Sequence, residues 1–256
     1  MKKPKTTGKG FSTSKVTEQP GTKLSPNHTA LEQQAGALIN QGKLQEAEAI
    51  YRNLITAGTN NHITYSNLAA ICGTQGRFGE LIDLLNKAIE IKPNYPEAHN
   101  NLGNALKEQG DLNDAIDSYE KALELRPNYP EALNNLGNAL QKQGNLNAAI
   151  DSYNKALELK PNNPEALTNL GNALQEQSNL NAAIDSYNTA LELKPNFPEA
   201  HKKLGNALQE QGDLNAAIDS YNKALQLKPN FPEAHKNLSM AEFKSPCSWS
   251  ALPRLL

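Results

Sequence analysis

The chain has 256 residues, 38% hydrophobic and only 5% aromatic, long enough for a folded body but short of the aromatic bulk that usually fills one large globular core. Its formal charge of −2 is uneven: residues 1–27 hold six lysines and one glutamate, a net +5, which leaves −7 for residues 28–256. No run of 18 apolar residues exists and the N-terminus lacks a secretory apolar stretch, so neither a membrane span nor secretion is expected, and a cytoplasmic protein is.

Residues 1–27 read as a disordered basic tail. Lysines release counterions from phosphate, but with Phe11 as its sole aromatic and no arginine the segment reads as a solubilising tail rather than a tether to nucleic acid or membrane. Beyond it the sequence becomes periodic. Prolines at 96, 130, 164, 198 and 232 are 34 residues apart, as are those at 93, 127, 161, 195 and 229, and "LNAAIDSYN" recurs at 146, 180 and 214. Self-similarity at this period means stacked supersecondary units, not one compact domain. Within 130–163 two helical patterns, A and B, flank "QGN", where Gly144 supplies the turn. Helix A is predicted to start on an asparagine with glutamate three residues on: Asn128 and Glu131, Asn162 and Glu165, Asn196 and Glu199. Helix B ends in "LELKP", where proline stops it and lysine suits the negative end of the helix dipole.

Leu136, Gly137, Ala149, Tyr153, Ala156 and Pro161 match, in order, the Leu-Gly of helix A, the small residue, aromatic and alanine of helix B, and the closing proline of the tetratricopeptide repeat (TPR) family, which this unit therefore resembles. The set returns in phase at 102/103/115/119/122/127, 170/171/183/187/190/195 and 204/205/217/221/224/229. Gly137 and Ala156 are read as small because helices A and B approach closely there, with Tyr153 filling the space beyond. The resemblance implies an all-α fold, a right-handed α-solenoid (superhelix) of antiparallel helix-pair repeats. In chain order these are a degenerate repeat at 28–61, which keeps Gly42, Leu44, Ala47 and Tyr51, and repeats at 62–95, 96–129, 130–163, 164–197 and 198–231. The 62–95 unit has Ala69 for the glycine, Leu81 for the small residue and Leu85 for the aromatic. A lone capping helix is predicted at 232–244, then a tail at 245–256 whose Trp249 either packs on that helix or marks a frame that once ran into another domain.

No reactive constellation emerges. His99, His201 and His235 share one register in different repeats, a whole helix pair apart, and read as packing residues and not as metal ligands. Asp117, Asp151, Asp185 and Asp219 recur on helix B as a solvated face, and Ser118, Ser152, Ser186 and Ser220 have no histidine beside them. Cys72 and Cys247 offer neither a disulfide framework nor metal-ligand spacing, and no phosphate-loop, dinucleotide, HExxH or GxSxG motif is present. The sequon at Asn27 carries no weight without a secretory route. No enzymatic activity, cofactor or metal is expected.

At 100° per residue, positions 3, 4, 7, 8, 10 and 11 of helix A form the packed face: Ala132, Leu133, Leu136, Gly137, Ala139 and Leu140 in the 130–163 unit. The opposite side carries two rows of amides. Position six gives Asn67, Asn101, Asn135 and Asn169, then Lys203, then Asn237; position nine gives Asn104, Asn138, Asn172 and Asn206. An amide offers donors and an acceptor, so each asparagine can serve both the N–H and the C=O of an extended peptide. Family resemblance places this face on the concave groove, and the position-six row is similar to that of the repeat superhelix of O-linked N-acetylglucosamine transferases, where such asparagines hold substrate peptides. A second family mode, a clamp for a partner's C-terminal carboxylate, matches Lys202, Asn206 and Asn237 but lacks the repeat that would supply its remaining basic residues. Asparagines that merely bond neighbouring turns are the structural alternative. The expected function is a non-catalytic scaffold for a protein or peptide partner. The other reading is the repeat portion of a glycosyltransferase or sulfotransferase system, recruiting substrates or lacking its catalytic domain.

Overall fold

The computed structural model describes residues 26–244, which form thirteen α-helices and, among the described residues, no strand. They run in A and B pairs: α1 (Pro26–Asn40) and α2 (Leu44–Thr56), α3 (His62–Thr74) and α4 (Phe78–Ile91), α5 (Pro96–Gln109) and α6 (Leu112–Leu125), α7 (Pro130–Gln143) and α8 (Leu146–Leu159), α9 (Pro164–Glu176) and α10 (Leu180–Leu193), α11 (Pro198–Gln211) and α12 (Leu214–Leu227), with α13 (Pro232–Lys244) last. The chain divides into two compact units, Met1–Ala139 and Leu140–Leu256. In the N-terminal unit each helix from α1 to α6 packs on the next. In the C-terminal unit the same holds from α8 to α13, and the A helices α9, α11 and α13 also touch in succession. Each unit is an all-α stack of helix pairs in which neighbours cover one another's apolar stripes, the building principle of a solenoid.

Helix α13 spans Pro232–Lys244. Helix α1 starts two residues early, on Pro26, because proline at a first helical position is already set to the right φ. The rest of the predicted basic tail, and residues 245–256 with Cys247 and Trp249, lie outside the described residues.

The expected N-caps need correction. With proline as first helical residue, the capping position falls immediately before it, on Tyr95, Asn163 and Phe197, not on Asn162 or Asn196 one residue upstream. Of these three only Asn163 accepts a capping bond, from Ala166 N–H at 3.2 Å. The glutamates serve a different purpose: Glu165 and Glu199 pair with Lys194 and Lys228 at 2.7 and 3.0 Å, and Glu97 pairs with Arg126. Each clips the start of helix A to the end of helix B in one repeat.

The turn between A and B needs a left-handed residue. Gly110, Gly144 and Gly212 supply it with φ of 95°, 87° and 95°, while in the 164–197 repeat the position falls to Ser178 at φ 66°. Behind the turn, the Leu-Gly signature finds its physical reason. A Cβ built on Gly103, Gly171 or Gly205 would lie 2.6 Å from the ring of Tyr119, Tyr187 or Tyr221. The tyrosines are 0–1% exposed, so nothing beyond them can give way.

Candidate functional site

In the C-terminal unit the same tyrosines organise the polar face. Tyr187 Oη–H donates to Asn172 Oδ1 at 2.9 Å, with Gln175 Oε1 at 3.1 Å; Tyr221 repeats the arrangement on Asn206 at 2.9 Å and Gln209 at 3.2 Å. Burial pushes the Tyr187 phenol up, and that of Tyr221 up to about 12, so both remain donors. A hydroxyl fixed on Oδ1 fixes the amide. The Nδ2 groups of Asn172 and Asn206 then have no protein partner among the described residues, yet neither is a buried orphan. They face solvent, in a cleft of about 220 Å³ lined by Asn172, Gln175, Glu176, Lys203, Asn206 and Glu210. Its rim is tied across repeats: Gln175 Nε2 donates to Glu210 at 2.6 Å, Gln141 Nε2 to Glu176 at 2.6 Å.

This changes the chemistry expected of the position-nine row. In Asn172 and Asn206 the tyrosine hydroxyl takes one of the two acceptor sites of Oδ1, so the acceptor side is partly used while the donors stay open. Asn206 Oδ1 also accepts from Asn237 Nδ2 at 2.8 Å, so the two rows are partly bonded to each other. Lys202 lies 5.1 Å from the Phe231 ring centroid and does not line this cleft. Asn169 is half-buried, as is Lys203, whose ammonium is made harder to hold by burial and by Lys202 next to it, while Glu176 and Glu210 act in the opposite sense.

In the N-terminal unit the expectation that the asparagines stand outside the core fails for several of them. Asn67, Asn100, Asn101 and Asn104 are 7%, 3%, 5% and 7% exposed. Asn67 Nδ2 donates to Tyr51 Oη at 3.1 Å, Tyr119 Oη donates to Asn104 at 2.8 Å, and Asn135 Nδ2 donates to Asn100 Oδ1 at 3.0 Å. Their partners lie on other helices, Tyr51 in the preceding repeat, Tyr119 in the same repeat and Asn135 in the next, which a helical wheel drawn for one helix cannot show. Asn101 Oδ1 is buried with no partner among the described residues, whereas Asn135 and Asn138 are half-buried.

What the sequence reading missed is the hydroxyl–amide relay and its companions at positions five, twelve and thirteen: Asn100, Gln141 and Gln175, Glu176 and Glu210. The constant offset of 15 residues from Asn104 to Tyr119, Asn172 to Tyr187 and Asn206 to Tyr221 was the available signal.

The remaining candidates resolve into structure. His99, His201 and His235 bring Nε2 to the carbonyls of Pro93, Pro195 and Pro229 at 3.3, 3.0 and 2.9 Å, latching the inter-repeat loop. Ser118, Ser152, Ser186 and Ser220 donate to the carbonyl four residues back, and Asp117, Asp151, Asp185 and Asp219 are exposed. Burial pushes the Cys72 thiol up to about 11, which leaves it unreactive. Among the described residues no three metal-ligating side chains converge, and no helix is long and apolar enough to cross a membrane.

Comparison with known proteins agrees with this architecture. Three solved structures share the fold. YrrB, described as a TPR protein with an unusual peptide-binding site, has a TM-score of 0.60 and 22% identity over 73% of this chain and 96% of its own. MamA from Desulfovibrio magneticus RS-1 has 0.62 and 26% over 66% and 95%, and Pseudomonas aeruginosa pilF 0.71 and 17% over 83% and 97%. No curated protein sequence matches the chain. The model of the TPR repeat matches five successive segments, 71–110, 103–144, 142–178, 171–212 and 205–241, well over half of the sequence. With the Gly–Tyr contacts repeated through both units, the chain belongs to the tetratricopeptide-repeat family.

Proposed function

We propose that the protein is a non-catalytic interaction scaffold that holds an extended polypeptide segment against its A helices and grips the backbone through side-chain amides. The observation that carries this is the pair Asn172 and Asn206: each amide is fixed by a buried tyrosine hydroxyl, with its N–H groups turned to an open cleft. Donors fixed in advance cost little to order when a carbonyl arrives. Packed helices lie about 8–10 Å apart, so donors on successive A helices meet carbonyls about three residues apart along an extended chain. Asn169 and Asn237 extend the polar face in the same unit, and in the other unit Asn101 Oδ1 is buried with hydrogen-bonding capacity that no described residue uses. YrrB, a TPR protein with a peptide-binding site, supports this use of the fold.

The test replaces both amides by the isosteric acid. In Asn172→Asp/Asn206→Asp the oxygen that accepts from tyrosine is kept and the outward N–H groups are lost. Peptides selected from a random 12-residue display library should bind the double variant at least ~10-fold more weakly, ~1.4 kcal/mol, with an unchanged circular-dichroism spectrum. Equal binding would remove these amides from the interface.

A further inference from the structure

We infer that Lys203 makes one point of this face read a side chain instead of backbone, by pairing with the carboxylate of an aspartate or glutamate on the bound segment. The inference rests on the proposed function. Position six is asparagine in the repeats on either side, Asn169 and Asn237, and lysine only here. An ammonium has three donors and a full charge, which a neutral backbone carbonyl does not need and a carboxylate matches.

The surroundings say what the lysine is not for. Lys203 makes no ion pair or hydrogen bond with any described residue, although it is half-buried among polar groups. Its two nearby carboxylates are engaged elsewhere, Glu210 with Gln175 and Glu176 with Gln141. Both glutamates are exposed and screened by solvent, while the lysine stands deeper, where a charge is screened less and its lack of a partner costs more. The neighbouring Lys202 rests near the Phe231 ring instead of sharing the cleft. An entering carboxylate would find Lys203 with the outward N–H groups of Asn172 and Asn206 in the same cleft, three groups that all donate. The net charge of Lys203, Glu176 and Glu210 is −1, which opposes a doubly charged phosphate more than a single carboxylate, so an entering carboxylate relies on direct contact with the Lys203 ammonium while Glu176 and Glu210 stay on their glutamine partners.

Lys203→Asn is the discriminating variant, because asparagine is what this position holds in the adjoining repeats and the change removes the charge without altering the packing. Random 12-residue peptides are selected on the intact chain and on Lys203→Asn, from one library fused at both ends and from another with free C-termini. Selection on the intact chain should enrich Asp or Glu at a single position at least ~3-fold in both libraries. Lys203→Asn should still select binders but without that enrichment, and Lys203→Glu should turn the preference to Lys or Arg. The same acidic enrichment on Lys203→Asn would overturn the inference and leave the scaffold function standing, as would enrichment confined to free C-termini, which would mean a terminal carboxylate. If neither library gives binders on any of the three proteins, the scaffold function falls and the inference with it.

Discussion

The repeat at 62–95 and the repeats at 164–231 solve the same packing problem with different parts. In 164–197 and 198–231 a glycine at position eight of helix A lets a tyrosine ring lie where a Cβ would be, and the tyrosine hydroxyl then holds the asparagine at position nine. In 62–95 the ring is replaced by Leu85, the glycine by Ala69, and the asparagine by Ala70, all of them buried. The three positions change together. A smaller filler leaves room for a methyl group on the facing helix, and without a hydroxyl an amide at position nine would be buried without its partner. Polar capacity at position nine therefore depends on the aromatic beneath it. The first repeats are joined by charge instead: Arg52 and Arg77 bridge Glu48 and Glu80, and Glu32 accepts from Asn61 at 2.8 Å and from Thr64 at 2.6 Å.

Exchanging parts between the two solutions gives the largest expected effect. Gly171→Ala places a Cβ against the buried Tyr187 ring and should cost ~1–3 kcal/mol, seen as a lower thermal midpoint. Adding Tyr187→Leu, the combination found at 69 and 85, should make the pair less costly than the two single changes together; simple additivity in this double-mutant cycle would break the comparison. Tyr187→Phe tests the relay alone. Loss of the hydroxyl should cost ~0.5–1.5 kcal/mol in urea unfolding and also weaken peptide binding, because Asn172 is no longer held. Stability lost with binding intact would make the relay purely structural. At the turn the sister repeats carry glycine, so Ser178→Gly should stabilise the chain by ~1 kcal/mol by relieving a left-handed backbone.

The smallest effect is on pH dependence. Burial lowers the pKa of His99 and His201 from the usual 6.5, so the folded state favours neutral imidazole. Their contribution is complete above about 6.5 and is lost as pH falls through the lowered folded values. Glu165 and Glu199, whose pKa values lie below the usual 4.5 beside Lys194 and Lys228, lose theirs only in more acid solution. Midpoints measured between pH 7.5 and 5 should fall slightly, and His99→Gln/His201→Gln should reduce that fall to the part left by His62, whose pKa burial also lowers. An unchanged slope would show that the loop latches do not sense pH.

The helix-pair fold and the Gly–Tyr packing were legible in the sequence because each is carried by residues within one 34-residue period. The buried state of Asn67, Asn101 and Asn104 was not, because it depends on how other helices pack around them, such as those that carry Tyr51 and Tyr119. Asn100 reads as a variable edge position until Asn135 is seen to donate to it. The caps were misplaced by one residue for a local reason: the asparagine–glutamate spacing suggests a capping box, but the intervening proline takes the first helical place and leaves the residue just before it as the cap.

The ion clip between the second residue of helix A and the end of helix B, Glu165 with Lys194 and Glu199 with Lys228, closes on itself within a single period. So do the glycine–tyrosine contact and the hydroxyl relay. A period copied whole carries these three contacts with it, and the seams between later periods repeat one pairing, Gln141 on Glu176 and Gln175 on Glu210. Gene duplication can therefore add or remove one of these later periods in a step of 34 residues and keep the ion clip, the glycine–tyrosine contact and the hydroxyl relay intact.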